Sequence, residues 1–574
     1  MKILGLQIHH SSSACLFVDG RMIYFNQEER LTRQKNKFGI PIQCLKEIKK
    51  ITSEIDKVVI TGYDFHPDEC TLVCSYIFDC GITISQNPAW IAYHKSHHLI
   101  HAVKSFFSSN FSEAVVIVWD GRGSAFNLSN GLMSYETTSA FYMSYDKPPK
   151  LLYKKLYVPN CTSQDIKKLK VNYATENYTN NAKTWYELDK NLKTEIISNT
   201  HDIGHYYSLA SVHCGWDSDE CGKLMGLHSY GQENKNLANL IYDDGGFKST
   251  LLRSENDFFI DVDRYPFLKL EQKNEKILKD FAYETQKGLE KCGLRLISNL
   301  LNQNKSNNLI LSGGVSLNIV ANSFYKKNIS NNVNLYVDPL CADEGNSIGA
   351  CQLFLYETYK FKTFPIETMY LCGSDPQYKF ELNDNEIVFE NIEYSFIVDL
   401  LLKKNIVAIF QGKSEGGPRA LGNRSILFDP RVKDGKNIVN RIKNREKFRP
   451  FACSILFEET HKWFDTSYIK ESPHMMYSFN ALPGVKDIIP SVVHVDNTCR
   501  IQTVTKEQNY HYYNLIFEFN KQTRVPILFN TSFNLAGDPI VETIEDALNT
   551  LRRSELEYLY LPEIKKLIFI KNEL

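Results

Sequence analysis

His97 and His101, in the run His97-His98-Leu99-Ile100-His101-Ala102, lie one helical turn apart. On a helix they share a face, where two imidazoles can hold one metal ion. His98 points elsewhere, and His94 is a further candidate member. Taken alone, such a pair is more simply a surface helix that carries histidines. Two carboxylates strengthen the metal reading. Asp120 closes an apolar run in Asp120-Gly121-Arg122-Gly123, and Asp343 stands in Cys341-Ala342-Asp343-Glu344-Gly345-Asn346-Ser347, where small residues let the backbone approach a ligand. Each Asp by itself fits an ordinary turn. Two imidazoles with two carboxylates form a nitrogen and oxygen set suited to iron(II), manganese, cobalt or zinc.

The turns Asp120-Gly121-Arg122-Gly123 and Gly313-Gly314-Val315 can offer backbone N–H groups to phosphates. Gly222-Lys223-Leu224-Met225-Gly226 lacks both the upstream glycine and the hydroxyl residue of a Walker A loop. Further along, cationic residues gather among Gly, Pro and Phe. Arg419 and Arg424 lie in Gly417-Pro418-Arg419-Ala420-Leu421-Gly422-Asn423-Arg424-Ser425, and Lys443 precedes Arg449 in Phe448-Arg449-Pro450-Phe451. Arg500 and the segment Asn530-Thr531-Ser532-Phe533-Asn534 follow. Arg binds phosphate or carboxylate through two parallel hydrogen bonds, and Asn and Ser can complete bonds to a urea-like amide. The pattern implies a pocket for a compact polyanion; surface salt bridges are the plainer alternative.

These residues need strand ends and turns to position them. Ala14-Cys15-Leu16-Phe17-Val18 runs into the hairpin signal Asp19-Gly20. A similar unit recurs at Ala114–Trp119, and Leu309-Ile310-Leu311 runs into Ser312-Gly313-Gly314. Strands ending in Gly-rich turns and alternating with helical stretches indicate an α/β architecture with ligand loops at strand ends. The 574 residues exceed what one core can hold, so two to four domains are expected. The boundaries read as residues 1–360, a linker over 361–390 with Pro365, Gly373 and Pro376, and a second block over 391–574. A net charge of −1 excludes a global field for nucleic acid or anionic membrane. No apolar run is long enough to span a bilayer. The scattered cysteines contain no Cys-x-x-Cys pair, which points to a reduced, cytoplasmic protein.

Residues 146–200 stand apart, with ten lysines against six carboxylates and interleaved Tyr153, Tyr157, Tyr173, Tyr178, Trp185 and Tyr186. This reads as an insertion before Gly204-His205-Tyr206-Tyr207. Its rings could stack bases or sugar faces while lysines such as Lys167 and Lys168 approach phosphates. A solvated excursion or a homodimer contact is the plainer alternative.

With these motifs assembled in order, the chain resembles the carbamoyltransferases of nodulation-factor and antibiotic biosynthesis, the NodU/CmcH family. The resemblance runs from His10, Ser13-Ala14 and Asp19-Gly20 through the histidine and aspartate motifs, Gly222-Lys223-x-Met225-Gly226-Leu227 and Ser312-Gly313-Gly314-Val315-x-Leu317-Asn318. It ends on the Arg419, Arg449 and Asn530 segments. It implies an actin-like ATPase domain, similar to the threonylcarbamoyl-transferase proteins, followed by a YrdC-like α+β domain. It also implies ATP-dependent O-carbamoyl transfer: carbamoyl phosphate and ATP give carbamoyl adenylate, and an acceptor hydroxyl takes the carbamoyl group near bound iron(II).

Residue roles implied by the same resemblance are His10 as general base, with His9 as its competitor, and His97, His101, Asp120 and Asp343 as metal ligands. Gly121, Gly123, Lys223, Gly313, Gly314 and Asn318 would bind ATP, which arrives with Mg2+. Arg419, Arg424, Lys443, Arg449, Arg500, Asn530, Ser532 and Asn534 would bind carbamoyl phosphate. The implied acceptors are a sugar, a natural product or hydroxymethylated DNA. A tRNA-modifying enzyme that makes threonylcarbamoyladenosine, and a non-catalytic actin-like ATP-binding scaffold, are the competing readings.

Overall fold

The structure is a computed structural model that describes residues 1–62, 67–86, 90–93, 96–159, 169–173, 182–183, 186–198, 202–235, 237, 241–243, 247–249, 251–253, 258–260, 275–304, 306–359 and 364–571. His94, Lys167, Lys168, Tyr178 and Trp185 lie outside the described residues. The chain forms two compact units, Met1–Glu28 with Lys37–Glu367, and Glu29–Asn36 with Thr368–Leu574. Within the stretch read from sequence as a linker, Tyr370–Cys372 and Glu386–Phe389 are strands of the second unit. The fold is mixed α/β.

The first unit repeats one topology. Lys2–Gln7, Ser13–Val18 and Arg21–Gln27 form an antiparallel meander, and Lys57–Thr61 and Trp90–Tyr93 then add in parallel beside the first strand. The second sheet does the same. Glu113–Trp119, Met133–Ser144 and Lys150–Val158 are antiparallel, with Asn308–Ser312 and Asn334–Val337 parallel beyond Glu113–Trp119. In each sheet the spatial order is third, second, first, fourth, fifth strand. The first strands, Ile3-Leu4-Gly5-Leu6 and Ala114–Trp119, are buried on both faces, which explains their continuous apolar runs. Polar residues are therefore left to the turns just past the strand ends.

Residues 146–200 are not simply an insertion. Lys150–Val158 is an interior strand between Met133–Ser144 and Glu187–Ser198. Two of its lysines misled because they are buried with partners: Lys154 pairs with Glu136, and Lys155 Nζ lies 3.1 Å from Asp202. Tyr153 and Tyr157 are core residues, and the Tyr153 hydroxyl donates to Glu195 at 2.8 Å. Those two rings are closed to a nucleic acid.

The second unit is built on a nine-stranded sheet, in which Val407–Phe410, Arg424–Phe428, Ile527–Ser532, Ala452–Leu456 and Thr498–Val504 are consecutive neighbours. Apolar clusters cover it on two sides, one around Leu427, Phe428, Phe519 and Phe529, the other around Phe410, Ile426, Leu548 and Leu559. Along Val407–Phe410 the residues alternate between the clusters, Val407 and Ile409 in one and Ala408 and Phe410 in the other, as strand geometry requires. Among the described residues no helix is long and apolar enough to cross a membrane.

Candidate functional site

The helix His97–Ser109 starts inside the protein, and every one of its residues is buried. Its one-turn period brings His97 Nε2 to 3.3 Å from His101 Nε2. The turn after Glu113–Trp119 carries Asp120, and the short helix Asp343–Gly345 carries Asp343. Asp343 Oδ1 lies 3.2 Å from His101 Nε2 and 3.4 Å from His97 Nε2, and Asp120 Oδ2 lies 3.4 Å from His97 Nε2. One donor atom from each of the four residues falls within 4.8 Å of all the others. Neighbouring donors on a metal with bonds of about 2.1 Å are separated by about 3.0 Å in an octahedron and about 3.4 Å in a tetrahedron. The separations of each imidazole from the other and from both carboxylates, 3.2 to 3.6 Å, are close to those of a coordination shell.

The electrostatics agree. Burial opposes charge on His97, but the Asp343 and Asp120 carboxylates outweigh it and raise its pKa well above the ordinary value. Burial opposes the Asp343 anion too, yet the two imidazoles hold its pKa well below the ordinary value. His97 Nδ1 lies 3.3 Å from the Gly62 carbonyl, an acceptor that places the proton on Nδ1 and leaves Nε2 with a lone pair for a cation.

Two buried clamps hold these ligands, and neither was found from sequence. Ser96 gives the helix no side-chain cap; instead His97 N–H donates to Ser124 Oγ at 3.2 Å and His98 N–H to Glu136 Oε1 at 3.1 Å. Glu136 also accepts from Ser124 N–H at 3.0 Å and from the buried Lys154 ammonium. His98, with its pKa lowered by burial to about 3, stays neutral and meets Ser139 Oγ at 2.8 Å. On the other side the Lys104 ammonium pairs with Asp338 and donates to the Leu340 carbonyl at 3.0 Å, pinning the approach to Asp343. Gly313 adopts φ +84°, and a Cβ there would meet the Trp119 carbonyl oxygen at 2.3 Å, so only glycine lets this turn sit against the strand end before Asp120. Glu136→Ala strands the Lys154 charge in the core, and unfolding by denaturant should show a loss of about 3–5 kcal/mol. A loss under about 1 kcal/mol would mean that Lys154 reaches another partner.

The expected ATP residues are brought together only in part. Gly314 abuts the Asp120 carboxylate, Oδ1 standing 3.3 Å from where its Cβ would be, and Gly121 N–H donates to Asp120 Oδ1 at 2.8 Å. Nothing lies within 4 Å of a Cβ built on Gly121, whereas Gly123 packs against Glu136 and His98. Asn318 caps the helix Ile319–Asn328 by accepting from Ala321 N–H and donates to Gln286 at 2.9 Å. Lys223 pairs with Glu220 at 2.6 Å.

The two candidate bases separate clearly. His9 takes a left-handed conformation, φ +77°, stacks on Phe38 and is lowered in pKa by burial. His10 is more open; its Nε2 lies 3.7 Å from Asp219 Oδ2, and this carboxylate, with Asp343 and Glu344 adding, raises its pKa.

In the second unit the charges of Arg419, Lys443, Arg449 and Arg500 lie together with that of Arg445, two residues from Lys443. Lys443 Nζ donates to the Asn534 carbonyl at 2.8 Å, to Asn534 Oδ1 at 3.0 Å and to the Ser532 carbonyl. Burial, then the Arg445 and Arg449 charges, hold it well below lysine's usual pKa. Burial and the Arg419, Arg445 and Arg449 charges do the same to Arg500. Arg445, stacked on Phe451, is lowered to about 9 by burial and by Arg449. The Nε atoms of Arg445 and Arg500 are buried without a hydrogen-bond partner. Like charges packed this way destabilise one another unless an anion joins them.

Asn530 lies behind this cluster, donating to Ser454 Oγ at 2.9 Å and to the Ala420 carbonyl at 3.1 Å. Arg424 leaves the predicted set. It is paired across the strands with Phe410, stacks on that ring at 3.6 Å and directs its Nη1 and Nη2 donors to the carbonyls of Gln411, Asn423, Gly412 and Glu542, leaving only its buried Nε without a partner. Its role is to tie chain segments together.

The family model described as Carbamoyltransferase N-terminus matches residues 75–352, and the one described as Carbamoyltransferase C-terminus matches residues 398–566. An uncharacterized protein of Synechocystis sp. is 29% identical, over 97% of this chain and 95% of its own length. Nodulation protein NolNO of Sinorhizobium fredii is 28% identical over 96% of this chain and 77% of its own. Nodulation protein U of the same organism is 23% identical over 94% of each. Among solved structures, full-length HypF in its phosphate- and nucleotide-bound form shares 12% identity at a TM-score of 0.34, over 62% of this chain and 55% of its own, too distant to carry an argument.

Proposed function

The chain belongs to the carbamoyltransferase family and is a carbamoyltransferase enzyme, and from that premise we propose that it forms carbamoyl adenylate in its second unit and transfers the carbamoyl group to an acceptor hydroxyl in its first. The observation that carries this reading is the convergence of the His97, His101, Asp120 and Asp343 donor atoms within 4.8 Å of one another. The first unit is actin-like in this reading, supported by the strand order repeated in its two sheets. The second unit is YrdC-like, and its cationic cluster supports a phosphate-bearing substrate there.

In the second unit Arg419, Lys443, Arg445, Arg449 and Arg500 bind the phosphates of carbamoyl phosphate and ATP. Carbamoyl phosphate gives up its phosphoryl group to water, and the carbamate oxygen attacks the α-phosphorus of ATP, releasing pyrophosphate. Ser532 and Asn534 hold Lys443 in place. In the first unit His97, His101, Asp120 and Asp343 would hold a divalent metal, iron(II) in this reading. Such an ion supplies positive charge for phosphate oxygens and a polarised carbonyl. His10 takes the acceptor's hydroxyl proton as oxygen bonds to the carbamoyl carbon. The bond from that carbon to the adenylate oxygen breaks, and AMP leaves. Asp219 orients His10 and steadies its protonated form. ATP arrives at the second unit with Mg2+, and in the first unit the backbone of Gly121, Gly313 and Gly314 lies beside the Asp120 centre for the phosphate of the adenylate. The acceptor is a sugar, natural product or hydroxymethylated nucleobase.

Mass spectrometry of hydroxylated acceptors incubated with the chain, ATP and isotope-labelled carbamoyl phosphate tests the reading. Labelled product that requires ATP supports it; product formed equally well without ATP removes the adenylate. A finer check concerns pH. The base acts when neutral, so a raised His10 pKa puts the acid limb of the transfer profile above the ordinary histidine value. Asp219→Asn removes the main raising cause and should move that limb to lower pH. An unmoved limb would show that His10 is not the titrating base.

A further inference from the structure

His101 Nε2 has one lone pair or one proton, enough for a single hydrogen bond. Three polar atoms crowd it nevertheless: Asn346 Nδ2 at 3.1 Å, Asp343 Oδ1 at 3.2 Å and His97 Nε2 at 3.3 Å. A cation between them satisfies what one proton cannot. Asn346 is the member of this group to which the sequence motifs gave no role. It opens the helix Asn346–Thr358, three residues after Asp343, and is 1% exposed. Its Oδ1 is buried and has no hydrogen-bond partner.

A buried carboxamide with an orphaned oxygen is destabilising unless something takes that oxygen up. The two ends of the amide exchange places by a half-turn about χ2. With an ion on His101 Nε2, an N–H aimed at the same point would be repelled. The turned amide presents an oxygen instead. The separation of 3.1 Å from His101 Nε2 suits two neighbouring donors on one ion, about 3.0 Å apart in an octahedral shell with bonds of about 2.1 Å.

The geometry points to Asn346 as a fifth, neutral oxygen ligand of the ion held by His97, His101, Asp120 and Asp343. This inference rests on the metal reading above. A neutral fifth ligand completes the shell without adding a third negative charge, and in a six-coordinate ion it leaves one position for substrate. Such a site suits iron(II), manganese or cobalt, which take five or six donors, better than four-coordinate structural zinc.

The test is cobalt(II) titration of the full chain, read by visible absorption and by competition with a chelating dye. Asn346→Leu removes the donor and fills its space, so the affinity should fall about 10- to 100-fold. The absorption should also intensify, as cobalt(II) loses a ligand and approaches four-coordination. Wild-type affinity and spectrum in a folded Asn346→Leu chain overturn the inference. Asn346→Asp keeps an oxygen and adds charge. It should hold cobalt(II) at least as tightly, with shifted bands, and it decides the matter if the leucine variant does not fold: unshifted bands and unchanged affinity would likewise overturn the inference. If the wild-type chain takes up neither cobalt(II) nor iron(II), the metal reading falls and this inference with it. Uptake by wild type with no effect of either variant removes Asn346 alone.

Discussion

Asp343→Ala is expected to strip the metal from the purified protein and to lower carbamoyl transfer by about 10^3-fold, while carbamoyl-phosphate-dependent pyrophosphate release persists. Asp343 stands 3.2 Å from one imidazole and 3.4 Å from the other, so its loss removes one of four donors and one of two charges that balance the ion. A Lewis acid at the reacting carbonyl contributes several kcal/mol, and about 1.4 kcal/mol is a factor of ten, which sets the expected size. Metal analysis, labelled transfer and pyrophosphate release in the same preparation separate the steps. If release falls in parallel with transfer in a folded variant that has lost its metal, the two half-reactions do not divide between the units as proposed.

His97, His101 and Asp120 could be singled out in the sequence as candidate ligands because each rests on local rules. Helical period alone puts His97 and His101 together, and an apolar strand running into Asp120-Gly121 puts that carboxylate at a strand end. What supports them was not legible. Glu136 caps a helix that begins at His97, far back in the chain, and Lys154 reaches Glu136 only through the register of two antiparallel strands, in which Glu136 faces Leu156 and Lys154 faces Ser139. A lysine-rich stretch usually reads as solvated surface. Here Lys154 and Lys155 are buried with carboxylates, and only the sheet reveals it. Arg424 failed for the opposite reason. Its motif placed it among anion-binding residues, but Arg424 and Ser425 are strand neighbours with side chains on opposite faces, and Arg424 lies against Phe410. Arg445 sits two residues from Lys443, and its Phe451 contact was foreshadowed by the apolar setting of Phe448-Arg449-Pro450-Phe451.

Removing charge from the second unit should separate activity from stability. Arg500→Ala is expected to lower carbamoyl-phosphate-dependent pyrophosphate release by about 10^2- to 10^3-fold, because a charge-assisted, bidentate phosphate contact in a dry pocket contributes several kcal/mol. The metal content of the first unit should stay at the wild-type level. Arg500 lies among Arg419, Arg445 and Arg449, each of which disfavours its charge, and its buried Nε has no partner. Deleting it relieves that repulsion, so the variant without ligand should melt at a higher temperature than wild type despite losing a large side chain. Phosphate or pyrophosphate should raise the melting temperature of wild type more than that of the variant, because an anion that binds only the folded state stabilises it by mass action. A variant that melts lower, releases pyrophosphate normally and responds to these anions as wild type does would make Arg500 a packing residue and move the anion site away from this cluster.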